Sequence, residues 1–243
     1  MSRMTSAPAW LTGLASRDDI GDHPWFVDHP PPPDAARRSA VLVLFGPGDD
    51  VHGPGRPDVV LTERAHTLRS HPGQVSFPGG REEPVDTGPV DAALREAEEE
   101  VGIDPASVDV LAALPPLYLA PSRHAVTPVL GWWRVPGPVR AVDRAEVERA
   151  DRVAVADLLA PAHRFTAVFG PYRGPGFEVG GLFVWGFTAM LLDAVFELAG
   201  VTEPWDTSLE RHLPDRVRSP WMRGADAMTP GDGAHDGRGR GRT

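Results

Sequence analysis

The chain has 243 residues, 41% of them hydrophobic, with 34 acidic against 24 basic side chains and a formal net charge of −10. That balance lacks the basic footprint of a broad nucleic-acid binder, yet it is compatible with a phosphate substrate when metal ions supply the positive charge. There is no cysteine, so disulfides and thiol chemistry are excluded.

The N-terminus MSRMTSAPAW lacks an apolar leader core, and no apolar run approaches the roughly 20 residues that span a bilayer. A soluble, cytoplasmic protein with neither membrane nor nucleic acid as partner is expected. A monomer and a homodimer are both left open.

Residues 1–36 read as an N-terminal extension. Trp10, Leu11, Leu14, Trp25 and Phe26 are apolar enough to dock on a core, and Pro30 to Pro33 form a stiff spacer. The main domain is expected over 37–223. Ala40–Phe45, AVLVLF, is a continuous apolar run and predicts a buried strand. Residues 46–58 are dense in Gly, Pro and Asp and predict a loop. Val59–Arg64 predicts a second strand and Gln74–Phe77 a short third one.

From Gly79 a long loop feeds one amphipathic helix. Pro89 suits its first position, where a missing N–H costs nothing, and Asp91 lies in the first turn, where the helix dipole favours negative charge. Val90, Ala93, Leu94, Ala97 and Val101 recur at helical spacing, and Gly102 supplies the stop. Further strands are expected at Val108–Leu114 and Val126–Arg134, with a loop at Pro115–Ser122 between them. Val153–Leu159 starts extended and turns into a short helix, Phe177–Val184 is a strand pair or bend, and Trp185–Leu198 is a second long helix burying Leu191, Leu192, Val195 and Leu198. Residues 224–243 are rich in Gly, Asp and Arg and predict a disordered tail. The order of elements predicts an α/β fold, a mixed sheet between helices.

The acids of the first helix carry the chemistry. At about 100° per residue, Glu96, Glu99 and Glu100 fall within an arc of about 100° beside the apolar stripe, and Glu98 falls on its other flank. Three carboxylates on one flank repel each other, and a hard cation such as Mg²⁺ or Mn²⁺ removes the repulsion. A solvated acidic face is the bland alternative for such a run taken alone.

The surroundings favour the first reading. Arg95-Glu96-Ala97-Glu98-Glu99-Glu100-Val101-Gly102-Ile103 matches the core of the Nudix box, REUxEExGU with U apolar, at every specified position. The chain therefore resembles the Nudix hydrolases, metal-dependent enzymes that cleave a diphosphate linked to another group, with an α/β/α sandwich fold. Its first half departs from the common form: Gly80 is followed by five residues, Asp86, and eight residues before Arg95, one residue longer and with Asp in place of Glu. Upstream, Val60 to Gly80, VLTERAHTLRSHPGQVSFPGG, is similar to the signature of the coenzyme A pyrophosphatase branch, roughly LLTxRxxxLRxHxGQVxFPGG. That branch also tends to carry the longer loop.

The resemblance implies Glu96 and Glu100 as metal ligands, Glu99 as a third ligand or as a base acting through a bound water, and Arg95 as an orienting residue paired with a glutamate such as Glu99. Gly79-Gly80 lets backbone carbonyls approach the metal closely, so Gly80 joins the ligand set. It further implies that Arg64, Arg69, His71 and Gln74 help recognise coenzyme A, whose 3′-phosphate calls for a nearby cation. Alternatively, Arg64 and Arg69 pair with acids such as Glu63 or Glu83, and a lone histidine like His71 is usually structural. Glu146, Glu148 and Glu178 are further candidates for a general base. Trp132, Trp133 and Trp185 could stack on adenine, although their apolar surroundings favour core packing. Other expected substrates are ADP-ribose, NADH or another nucleoside diphosphate derivative, and a non-catalytic nucleotide-binding domain is the reading from another class. Retention of all the box glutamates argues against the last.

Overall fold

The computed structural model describes residues 5–48, 56–68, 71–119 and 123–218. The helices are α1 (Ala9–Ala15), α2 (Pro24–Asp28), α3 (Pro89–Val101), α4 (Val155–Leu159) and α5 (Gly186–Leu198). The strands of the larger sheet are β1 (Arg38–Gly46), β2 (Asp58–Arg64), β3 (Val75–Ser76), β4 (Gly79–Arg81), β5 (Val108–Ala113), β6 (Leu117–Leu119), β7 (His124–Trp133) and β8 (Val147–Ala154). A second sheet holds β9 (Arg164–Phe169), β10 (Tyr172–Val179), β11 (Leu182–Val184) and β12 (Glu210–His212) in the order β11-β10-β9-β12.

β1 is the spine of the larger sheet. It runs parallel to β7, with Arg38 beside Ala125 and Phe45 beside Trp132, while β2 and β4 pair with it antiparallel. The sheet is therefore mixed. The continuous apolar run of β1 is explained by burial on both faces. Ala40, Leu42 and Leu44 pack with Ala92, Ala93, Ala97 and Val101 of α3, whereas Val43 and Phe45 pack on the opposite side with Leu191, Leu192, Val195 and Phe196 of α5. Helices thus cover both faces, as an α/β/α sandwich requires.

The leader joins the α5 side. Leu11, Leu14, Trp25 and Phe26 are buried there, and the Trp10 ring meets Phe45 edge-on at 5.2 Å. No helix among the described residues is long and apolar enough to cross a membrane.

Three sequence expectations change. Residues 115–122 are not wholly a loop, since β6 pairs with β7 there through Leu117, Tyr118 and Leu119. The segment after Gly79 begins with β4 rather than with loop, because two glycines let it close onto β1. The second sheet, of which only Phe177–Val184 was expected, includes β9, which opens on the fully buried Arg164. That arginine pairs with Asp193 and lies between the Phe177 ring, 5.0 Å from its guanidinium carbon, and the Trp205 ring at 4.5 Å. A charged side chain reads as surface in a sequence, and here two aromatic faces and a carboxylate make it core. The tail expected over 224–243 lies outside the described residues.

Candidate active site

The site is built where α3 crosses β4. Pro89 occupies the first helical position, and Asp91 in the first turn accepts from the Thr87 N–H at 3.1 Å. Gly102 ends the helix in the left-handed conformation (φ 74°), with its N–H on Glu98 O and the Ile103 N–H on Ala97 O. Gly79 is sterically required by the backbone of β1, and Gly80 makes room for the Glu96 carboxylate where it now lies. A Cβ at Gly79 (φ 155°) would lie 2.4 Å from Ala40 O, and one at Gly80 would lie 2.4 Å from the Glu96 carboxyl carbon. Glycine therefore lets β4 seat on β1 and lets the Glu96 carboxylate rest directly on the strand.

Glu100, one turn on, is 6% exposed, and its Oε2 accepts from the Gly79 N–H at 3.1 Å. Burial pushes its carboxyl up to about 7; the Gly79 N–H and Arg64 oppose the shift, while Glu96 and Glu146 reinforce it. Glu96 is shifted upward too, chiefly by burial, with Arg95 opposing and Glu99 and Glu146 adding repulsion. Two adjacent carboxylates whose ionised forms are disfavoured make a site that gains by receiving a cation.

Arg95 ties three acids together. Its Nε and Nη2 grip Asp86 in a fork at 3.0 Å each, its Nη1 donates to Glu96 and to Glu99 at 3.1 Å, and Nη2 also donates to Arg81 O at 3.0 Å. Asp86 is pulled below the usual carboxylate range by Arg95 first and by the Glu83 N–H second. The pairing of Arg95 with a glutamate such as Glu99 was expected. The fork to Asp86 was not, and its sequence signal is the Asp in the lengthened loop. Glu99 has a side chain 59% exposed, so it stands outward from Glu96 and Glu100, and Glu98 is exposed.

Among the described residues, no group of three or more His, Asp or Glu side chains is arranged to hold a metal ion by side chains alone. What α3 and β4 offer is two carboxylates, Glu96 and Glu100, against the Gly79-Gly80 backbone. This donor set suits Mg²⁺ or Mn²⁺, which take one or two carboxylates together with substrate phosphates and water.

The upstream segment divides. Arg64 in β2 lies near enough to Glu100 to favour its ionised form, and its buried Nε has no hydrogen-bond partner among the described residues. Among the described residues it makes no ion pair with Glu63, which meets His66 at 3.4 Å, or with Glu83. His71 and Gln74 bond each other at 2.9 Å, and Gln74 Nε2 donates to Val217 O at 3.4 Å, so they tie this loop to the turn at Asp215–Val217. Arg69 lies outside the described residues. Of the outlying acids, Glu146 comes beside Glu96 and Glu100 through the bond of Ala65 N–H to Glu146 O. Glu148 is exposed on β8, and Glu178 pairs with Arg211 in the second sheet. The tryptophans are packing residues: Trp132 Nε1 donates to Thr5 O at 3.0 Å, Trp133 Nε1 to Ser107 Oγ at 2.9 Å, and the Trp185 ring meets Tyr172 at 5.7 Å.

Fold and site together are those of a pyrophosphate hydrolase of the α/β class. The NUDIX domain model matches residues 35–171, and the chain belongs to the Nudix hydrolase family. A relative in Shigella flexneri, named an uncharacterized Nudix hydrolase NudL, is 38% identical over 171 residues, covering 68% of this chain and 84% of that protein. A relative of the same name in Escherichia fergusonii is 51% identical over 95 residues, covering 39% of this chain and 46% of its own. Among solved structures, a Nudix hydrolase from M. smegmatis, RenU, is 18% identical with a TM-score of 0.47, covering 69% of this chain and 88% of its own.

Proposed function

We propose that this hydrolase cleaves the diphosphate of coenzyme A or an acyl-coenzyme A. A water oxygen bonds to one phosphorus, the bridging P–O bond breaks, and the products are 4′-phosphopantetheine, or its acylated form, and adenosine 3′,5′-bisphosphate. The observation that carries the reading is that the segment similar to the coenzyme A pyrophosphatase signature runs from Arg64 straight into Gly79-Gly80, with the Arg64 guanidinium near enough to Glu100 to favour its ionised form.

In this reading Glu96, Glu100 and the Gly80 carbonyl would hold Mg²⁺ or Mn²⁺, with Glu99, paired with Arg95, as a third ligand or as a base acting through water. The metal, when bound, neutralises phosphate charge and acidifies water. Arg95 fixes the Glu96 and Glu99 rotamers and is itself fixed by Asp86. Arg64 grips a diphosphate oxygen, for which a guanidinium beside a buried carboxylate is suited. Glu146, next to both buried glutamates, is the other proton acceptor within the site. Comparing kcat/KM for coenzyme A, ADP-ribose and NADH tests the assignment. The highest value is expected for coenzyme A, and a preference for ADP-ribose or NADH would contradict it.

A further inference from the structure

The end of the larger sheet where β1 and β7 begin carries a second charged assembly. Arg37 and Arg38 enter β1, Arg81 closes β4, and Arg123 and His124 open β7. The register sets Ser39 opposite Arg81 and Arg38 beside Ala125, and Ser39 Oγ lies 2.8 Å from His124 Nδ1. Arg37 and Arg81 are close enough to His124 that, after burial, they hold its imidazole below the usual range.

The chain has no lysine, so its fixed cations are all arginines. Many of those described are ion-paired, among them Arg134 with Asp109, Arg149 with Asp151, Arg152 with Asp58 and Arg173 with Glu210. Arg37, Arg38, Arg81 and Arg123 are exposed and make no ion pair among the described residues. Like charges gathered without partners repel, and an arriving anion relieves them.

Two of these arginines, Arg38 and Arg81, border a cleft. A cavity of about 620 Å³ has Arg38 and Arg81 in its wall, and through Arg38 and Glu82 it meets a second of about 190 Å³ walled by Pro31, Pro32 and Pro33. The cleft begins beside the catalytic elements, because Arg81 O accepts from Arg95 Nη2 at 3.0 Å and the preceding Gly80 lies under Glu96. A substrate with its diphosphate at Glu96 can therefore extend along β4 into it. Arginine forks fit phosphate oxygens, and a proline wall offers the apolar surface that ligand sites use for a ring.

We propose that this cleft is the subsite for the nucleoside half of the substrate: Arg38 and Arg81 take its phosphomonoester, and the Pro31–Pro33 wall takes the base. The inference rests on the coenzyme A reading and places the 3′-phosphate here, leaving Arg64 to the diphosphate. Glu82 and Glu83 also line the larger cavity. They repel an anion, so the phosphate belongs at the sheet end of the cleft, and Glu82 sets a limit on its affinity.

The test has two arms on the full-length chain. The first titrates the metal-free protein with adenosine 3′,5′-bisphosphate and with adenosine 5′-monophosphate by calorimetry. The second compares kcat/KM for coenzyme A and dephospho-coenzyme A. The phosphate-bearing member of each pair is expected to be favoured by about tenfold or more, as charge-assisted hydrogen bonds allow. Arg38→Ala and Arg81→Ala should each shrink both preferences, with the kinetic loss falling on KM. Arg81→Lys should restore part of them, and Glu82→Gln should enlarge them. Equal binding of the two nucleotides by the parent, or full preferences in both alanine variants, would overturn the subsite. If coenzyme A is not cleaved while the bisphosphate preference depends on Arg38 and Arg81, the functional reading fails and the subsite stands. If coenzyme A is cleaved and both variants keep the preference, the reading stands and the subsite fails.

Discussion

Two arginines show how differently this chain uses buried charge. Arg164 in the second sheet is matched one to one: its carboxylate is Asp193, and the rings of Phe177 and Trp205 cover its faces. Arg95 on α3 is outnumbered. It serves Asp86, Glu96 and Glu99 together, and among the described residues the buried Glu100 accepts a hydrogen bond from the Gly79 N–H and has Arg64 as a nearby cation. The balanced pair is a structural device. The unbalanced group keeps negative charge uncompensated in a desolvated place, which costs stability and is retained where a cation is to be received.

The comparison breaks first at Arg164. Arg164→Ala removes the buried cation and its aromatic packing and should lower unfolding stability by about 3–5 kcal/mol, measured by denaturant titration. Turnover per folded molecule should hold. A fall in turnover without a fall in stability would mean that the second sheet serves the chemistry.

Glu96→Gln and Glu100→Gln should have the opposite signature. Each keeps its shape and loses a charged donor, so turnover should drop on the order of a hundredfold or more with the fold intact. Stability should move the other way for Glu100. Its folded carboxyl is raised from the usual 4.5 to about 7, so below about 4.5 both states are protonated and no penalty exists. As pH rises from about 4.5 to about 7 the unfolded chain ionises first, and the metal-free protein should lose up to roughly 3 kcal/mol. Glu100→Gln should flatten that loss and melt higher than the parent at pH 8 without metal. A parent whose metal-free melting temperature does not fall across this window would contradict the burial argument.

Smaller effects sharpen the picture. Asp86→Asn loosens the fork that aims Arg95 and should cost roughly 10–100-fold in turnover, the usual range for groups that orient metal ligands. An effect below twofold would make the fork incidental. Glu98→Gln, on the exposed far flank of α3, should change kcat/KM by less than about twofold, as surface substitutions do. A Glu98 effect equal to that of Glu100 would misplace the site.

Much of this was legible in the sequence because it is local. The α3 boundaries follow from Pro89, Asp91 and Gly102, and the flank holding Glu96, Glu99 and Glu100 follows from helical rotation alone. What stayed hidden depends on distant partners. Asp86 meets Arg95 across a loop, and Glu146, far along the chain, comes near the two glutamates from a segment whose backbone bonds to Ala65. His71 and Gln74 bond each other and Gln74 bonds Val217 O, a link from the motif to a distant turn that spacing along the chain does not show. The leader's short helices α1 and α2 bury Leu11, Leu14, Trp25 and Phe26, a docking that the apolar residues suggested without indicating helices. β9 was masked by Arg164, whose aromatic cover comes from residues far along the chain.

The central claim is that the excess carboxylate on α3 is held for a divalent cation. Calorimetric titration of Mn²⁺ into the metal-free chain at pH 8, side by side with Glu100→Gln, tests it most directly. The account predicts that the parent binds Mn²⁺ and that the variant binds at least about tenfold more weakly. Equal affinity in the two proteins would contradict it.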